Sequence, residues 1–133
     1  MHLILTLDNA DGMLFNKRRQ SRDRVMNEHI LTLVGGRTLW MNAYSAKLFD
    51  LAAHPNIRVS ETYLDNAGED DFCFDETIPP VGREAKTVYV FRWNRDYPAD
   101  VRAGVDFSAY QKRIAEEFTG SSHEKITLEI YTK

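Results

Sequence analysis

Short apolar runs alternate with segments of helical spacing along most of the chain. Residues 3–7 form the first run, which has the length of a buried strand and ends in turn residues at positions 8–12. Apolar side chains then recur at helical spacing over residues 25–34, and Gly35-Gly36 ends that helix. The opening of the chain therefore predicts a strand, a loop and a helix.

Five later segments have strand character. Residues 38–41, 57–60 and 71–74 are short and apolar, residues 87–93 are rich in β-branched and aromatic side chains, and residues 126–131 alternate. Asn42 is a natural cap for a helix that uses Tyr44, Leu48, Leu51 and Ala52 as one face. The spacing of Phe107, Tyr110, Ile114 and Phe118 favours a last helix or an amphipathic excursion.

This alternation predicts one α/β domain over residues 1–133. We expect a mainly parallel central sheet, helices on both faces and an antiparallel C-terminal strand. A hydrophobic content of 43% is ample for a core. The lone Cys73 has no partner for a disulfide, and no cysteine pair indicates a zinc site. Without a basic leader or a long apolar run, the chain is expected in the cytoplasm and away from membranes.

Charge is unevenly distributed along the chain, although the net value is only −3. Residues 17–24 contain five basic side chains and one acid, whereas residues 61–76 contain seven acids and no base. The basic run could meet phosphate. The acidic run could meet water or the basic run of a second copy, so a homodimer is an alternative.

The basic segment is the main candidate for an anion site, because it lies between a strand end and a helix start. Arginine binds phosphate or carboxylate through two hydrogen bonds. The alternative is a solvated loop in which Ser21 or Asp23 caps the helix. The candidate ligands are Asn16, Arg18, Arg19, Gln20, Ser21, Arg22, Asp23 and Arg24.

Two further groups of residues could take part in catalysis or in ligand binding. His123 beside Glu124 could act as a general acid or base, within a polar cluster completed by Ser121, Ser122 and Lys125. The alternative is a polar turn that opens the last strand. Near the second strand, Trp40 is expected in the core, and Asn42 could cap a helix and also touch a ligand; Arg92, Trp93 and Arg95 could stack on a base.

The order of elements resembles a shortened dihydrofolate reductase, with a first strand that enters a Gly12-Met13 loop and an aromatic final strand pair. Residues 38–49 and 118–130 are the most similar parts. The resemblance implies a reductase scaffold that uses NADPH as its cofactor. It also implies that the carboxylate side chain at the family's substrate site corresponds to Asp23 or Glu28. Where that family grips the NADPH phosphate, this chain has Asn42-Ala43-Tyr44-Ser45, which leaves Ser45 as phosphate ligand. The family's later glycine pair has no counterpart near residues 72–75, so no cofactor is expected, with NADPH left open.

The chain also resembles small bacterial proteins that carry the name ribonuclease Z. The shared motifs are Gly12-Met13-Leu14-Phe15-Asn16, Arg18-Arg19-Gln20-Ser21-Arg22-Asp23, Leu39-Trp40-Met41-Asn42 and Ser121-Ser122-His123-Glu124-Lys125. The name implies RNA as a partner. The four histidines are scattered singly, however, and do not form the clustered motif that a two-metal nuclease needs.

Three function classes follow from the sequence. The favoured class is a module that binds a nucleotide, another anionic metabolite or RNA through Arg18, Arg19, Arg22 and Arg24. The second class is an enzyme, either a divergent reductase or a metal-independent phosphodiesterase that uses His123. The third class is a regulatory partner that self-associates through its opposite charges.

Overall fold

The computed structural model describes residues 1–80 and 84–133. Within these residues the strands are β1 (His2–Leu7), β2 (Gly12–Phe15), β3 (Arg18–Arg19), β4 (Leu39–Met41), β5 (Ile57–Val59), β6 (Phe72–Phe74), β7 (Thr87–Arg92), β8 (Val101–Arg102), β9 (Gln111–Phe118) and β10 (Ile126–Thr132). The helices are α1 (Arg24–Val34), α2 (Ala43–Ala46) and α3 (Tyr63–Asn66). None of them is long and apolar enough to cross a membrane.

The main sheet has seven strands in the order β5-β4-β6-β1-β7-β10-β9. The five strands from β5 to β7 run parallel, whereas β10 pairs antiparallel with both β7 and β9. A smaller sheet in the order β3-β2-β8 stands beside it. The single α/β domain, the mainly parallel sheet and the antiparallel C-terminal strand predicted from the sequence are therefore confirmed.

The sheet is covered on both faces because consecutive side chains of a strand point to opposite sides. Ile4, Phe74 and Phe91 face one core, which is covered by α1 through Met26 and Ile30. The alternate positions of the same strands face a second core, covered by α3 and by β2; these positions include Leu3, Leu5, Cys73, Val88 and Val90. Among the described residues, the α-helical cover on this face is the single turn of α3.

Two predicted helices differ from the structure. Residues 107–118 form a short 3₁₀ turn followed by β9, and Ile114 on that strand is 59% exposed. Strand pairing with β10 along the whole of β9 outweighs the helical spacing of the aromatic residues. Helix α2 ends at Ala46, well short of Ala52, since the Asp50 carboxylate accepts hydrogen bonds from Ala52 N and Ala53 N in a local turn.

The basic segment begins with a tight hairpin between β2 and β3. Phe15 pairs with Arg18, so Asn16 and Lys17 are the two turn residues. Both have positive φ, 52° and 62°, as a type I′ turn requires. The hairpin directs the following residues, 20–23, toward the N-terminus of α1.

Candidate functional site

The basic segment and the C-terminal polar cluster meet in space at the N-terminus of α1. Asp23 is the N-cap of the helix, and its Oδ1 accepts a hydrogen bond from Met26 N at 3.1 Å. The same carboxylate accepts hydrogen bonds from the backbone N–H groups of Ser121 and Ser122, each at 2.9 Å. One side chain thus caps the helix and anchors a loop about a hundred residues away.

Asp23 is a buried carboxylate held in its ionised form. Its residual exposure is 1%. Burial alone would raise the pKa of Asp23, but hydrogen bonds from Ser122 N, His123 and Ser121 N outweigh burial and hold that pKa well below its usual range. Since these donors occupy both carboxylate oxygens, Asp23 has little capacity left to bind a substrate as a reductase carboxylate would.

His123 connects Asp23 to two hydroxyl groups. Its Nδ1 lies 2.9 Å from Asp23 Oδ2, and its Nε2 lies 3.1 Å from Ser21 Oγ and 3.0 Å from Tyr97 Oη. Trp93 stacks on the imidazole at 4.6 Å between ring centroids. An ionised Asp23 favours the tautomer with hydrogen on Nδ1, which leaves Nε2 as an acceptor for a hydroxyl proton.

The loop that carries His123 needs a glycine at position 120. A Cβ built on Gly120 would overlap Asp23 Oδ2, so the backbone there approaches the carboxylate more closely than any side chain permits. Gly120 N also donates a hydrogen bond to His123 O at 2.9 Å, which closes the turn. The rest of the predicted cluster lies outside this network: Glu124 is exposed, and exposed Lys125 pairs with Glu117 at 3.1 Å.

A cleft of about 470 Å³ opens beside this network. Arg22, Arg24 and Lys47 bring three positive charges to it, and Asp23, Glu28 and Asp50 bring three negative ones, of which those of Glu28 and Asp50 are exposed. Arg24 forms an exposed ion pair with Glu28 at 3.0 Å, whereas Arg22 and Lys47 have no carboxylate partner among the described residues. Asn27 also lines the cleft, and its buried Oδ1 lacks a hydrogen-bond partner within the described ranges.

Arg19, unlike Arg18 and Arg22, is engaged within the protein. Its guanidinium forms a two-point ion pair with Glu76, at 2.8 and 3.0 Å, and lies over the Tyr44 ring. Glu76 also accepts a hydrogen bond from Ser45 Oγ at 2.7 Å. The basic and acidic runs of the sequence therefore meet inside one chain at this point.

Three of the remaining predicted ligands have structural partners. Gln20 donates to the buried Asp8 at 2.9 Å, and Trp40 Nε1 donates to Asp71 at 3.0 Å. Asn42 caps α2 through Ser45 N, as predicted, and donates to Thr77 Oγ1. Asn16 and Arg18 are exposed beside a second cleft, which Tyr97 also lines.

The residues that would meet the phosphates of NADPH do not fit that cofactor. Ser45, the expected phosphate ligand, is 1% exposed and donates to a carboxylate that would repel a phosphate. After β6, where the reductase family has a glycine pair, this chain has the buried carboxyl groups of Asp75 and Glu76. A cofactor phosphate at this position would therefore meet buried carboxyl groups.

Sequence analysis missed Tyr97 and Lys47, and it treated Trp93 as a surface residue for base stacking. Trp93 is 2% exposed and packs on His123. The alternation of residues 87–93 places Trp93 on the same face as Phe91, which could have indicated its burial. Nothing local marks Tyr97 or Lys47, because both reach the site only through tertiary contacts.

Comparison with solved structures identifies the class of fold as that of the dihydrofolate reductases, which confirms the fold resemblance. One of 132 matching chains is the dihydrofolate reductase from Enterococcus faecalis complexed with NADP(H) and RAB-propyl. The two chains superpose with a TM-score of 0.64 over 98% of this chain and 94% of that one, at 11% sequence identity. At this identity the likeness shows the fold alone.

No family model and no curated protein matches the sequence. The resemblance to proteins named ribonuclease Z is not borne out by these comparisons. The described residues also contain no group of three or more histidine, cysteine or acidic side chains placed to hold a metal ion.

Proposed function

We propose that this protein binds a phosphate-bearing small molecule in the cleft at the N-terminus of α1. The observation that carries the proposal is the pair Arg22 and Lys47, two exposed cations that line one cleft without a carboxylate partner among the described residues. Arg22 supplies a planar fork for two phosphate oxygens, and Lys47 a compact point charge.

The dimensions of the cleft favour a small ligand over RNA. A volume of about 470 Å³ lies within the range of small-molecule sites, about 300–1,000 Å³. Glu28 and Asp50 interrupt the positive surface around it. RNA binding needs a continuous basic surface along the backbone, which this chain of net charge −3 does not offer at this cleft.

Calorimetric titration with inorganic phosphate and with adenosine monophosphate tests the proposal. The double variant Arg22→Gln with Lys47→Gln should weaken binding of both probes about ten- to a hundredfold, because a hydrogen bond to a charged group contributes about 1.5–3 kcal/mol. The matched control is Arg58→Gln with Arg113→Gln, two exposed cations on β5 and β9 that do not line the cleft.

Equal loss of affinity in both double variants would show a nonspecific charge effect and would contradict the proposal. So would a folded wild-type protein that binds neither probe at low salt. Binding of a short structured RNA with a steeper salt dependence than that of adenosine monophosphate would favour RNA instead.

A further inference from the structure

Ser21, His123 and Asp23 are arranged in the order nucleophile, base and carboxylate. Ser21 Oγ lies 3.1 Å from His123 Nε2, and His123 Nδ1 lies 2.9 Å from Asp23 Oδ2. Both distances are within hydrogen-bond reach, as proton transfer between these groups requires. Such a constellation is recognised by geometry and by the roles of its members, because it recurs on unrelated folds in different chain orders.

The base and the carboxylate are held firmly. Asp23 and His123 are 1% and 5% exposed. Trp93 packs on one face of the imidazole, and the turn closed by Gly120 fixes its backbone. A carboxylate in a buried, hydrogen-bonded site orients the imidazole and stabilises the imidazolium that forms when Nε2 takes a proton.

Ser21 is the partly exposed member of the three. It lies between Gln20, which lines one cleft, and Arg22, which lines the other. Arg22, the next residue in the chain, is exposed and unpaired among the described residues. Its positive charge is available to stabilise an oxyanion that develops during the reaction.

We infer that Ser21 is a nucleophile that cleaves carboxylic esters, with His123 as general base and Asp23 as its orienting carboxylate. Ser21 Oγ forms a bond to the ester carbonyl carbon while its proton passes to His123 Nε2. The tetrahedral intermediate collapses, the bond to the alcohol oxygen breaks, and Nε2 returns that proton to the departing alcohol. Water then repeats the sequence on the acyl-serine, which releases the acid and restores Ser21. The net reaction converts an ester and water into an acid and an alcohol.

Tyr97 is the second hydroxyl at the same nitrogen. Its Oη lies 3.0 Å from His123 Nε2 and competes with Ser21 for one lone pair. Removing this hydroxyl by Tyr97→Phe leaves Ser21 as the sole side-chain hydroxyl at Nε2 among the described hydrogen bonds. Labelling at Ser21 should therefore be faster in Tyr97→Phe, because Nε2 is then available to Ser21 alone.

The test treats the full chain with a neutral alkyl fluorophosphonate and locates the adduct by peptide mass spectrometry. Attack by Ser21 Oγ forms an O–P bond and expels fluoride, so the expected adduct is one per chain on Ser21. Ser21→Ala should abolish it, and His123→Gln and Asp23→Asn should slow labelling and p-nitrophenyl acetate hydrolysis a hundredfold or more. Ser108→Ala is the matched control, because that exposed hydroxyl hydrogen bonds to Asp106 instead.

Circular dichroism and the melting temperature must show that Ser21→Ala and Ser108→Ala are folded. An adduct on Tyr97 or Ser122, an adduct retained in folded Ser21→Ala, or a folded wild type that neither labels nor hydrolyses the ester would overturn the inference. Both probes are uncharged, so their failure is distinguishable from a failure of phosphate binding at the cleft.

Discussion

Ionisation of the buried Asp75 carboxyl should affect the stability of the fold near neutral pH. Burial raises the pKa of Asp75 to about 6, against the opposing hydrogen bonds from Tyr63 Oη, Ile78 N and Thr77 N. Its Oδ2 has no hydrogen-bond partner in the part of the chain that the structure describes. The folded protein therefore binds this proton more tightly than the unfolded chain, whose aspartate pKa is near 3.8.

The Asp75 carboxyl should stabilise the fold at acidic pH and lose that contribution as pH rises from about 4 through about 6. A shift of this size corresponds to roughly 2–3 kcal/mol. Urea unfolding gives the free energy of unfolding of the wild type and of Asp75→Asn. The wild-type value minus the Asp75→Asn value should fall by this amount between pH 4 and pH 7. The control variant is Asp96→Asn, which removes an exposed carboxylate. If this difference in unfolding free energy does not change with pH, the raised pKa of Asp75 is contradicted.

At the residue scale, sequence reasoning identified most of the polar side chains that meet at α1 but not how they are connected. Ser21, Asp23 and His123 were all candidates, and the alternative that Asp23 caps the helix is observed. Glu124, the neighbour of His123 in sequence, was the other catalytic candidate, whereas the carboxylate observed at His123 is that of Asp23. Partners far apart in the chain leave no local signal, because their proximity depends on the packing of the sheet.

The turn at residues 120–123 should require glycine at position 120, because a Cβ there would overlap Asp23. The change Gly120→Ala places a methyl group against Asp23 and should destabilise the protein by about 1–3 kcal/mol, as overpacking commonly does. Gly36→Ala is the control, since a Cβ at Gly36 meets nothing within 4 Å. Denaturant unfolding measures both variants. Equal stabilities of Gly120→Ala and Gly36→Ala would refute the close approach.

The β2–β3 hairpin contains a removable strain. Lys17 has a φ of 62°, a conformation that costs a residue with a Cβ about 1–2 kcal/mol and costs glycine little. Lys17→Gly produces Asn-Gly, a favoured type I′ turn pair, and should stabilise the protein by about 0.5–1 kcal/mol. Lys125→Gly, at an exposed position for which no positive φ is found, should not stabilise it. A lower melting temperature for Lys17→Gly would contradict the assigned turn.

At the element scale, the strands were predicted better than the helices after α1. Continuous apolar runs indicate the buried strands, as at residues 3–7 and 87–93. Phe107, Tyr110, Ile114 and Phe118 have helical spacing, yet Phe118 reaches the core from β9 and stacks on His29 at 3.6 Å between centroids. Periodicity over so few residues cannot reveal a strand partner that lies elsewhere in the chain.

The order of strands predicts how protection from hydrogen exchange is distributed over the molecule. Strand β1 is bonded on both sides, by β6 and β7, whereas β9 forms one edge of the sheet and is almost wholly exposed. Amides of β1 should therefore exchange slowest and those of β9 fastest among the long strands. Hydrogen exchange read by mass spectrometry checks this order. Slow exchange of β9 at every protein concentration would contradict it, and protection that grows with concentration would indicate pairing with a second copy.

Asp23 also links the timing of two distant events in the life of the chain. Residue 23 is synthesised about a hundred residues before residue 123. Helix α1 therefore leaves the ribosome before the loop that hydrogen bonds to its N-cap has been synthesised. During that interval the carboxylate faces water, and the imidazole that it will orient does not yet exist. A nascent chain stalled before Gly120 therefore lacks the groups of residues 121–123 that hydrogen bond to Asp23, however well its first helix has formed.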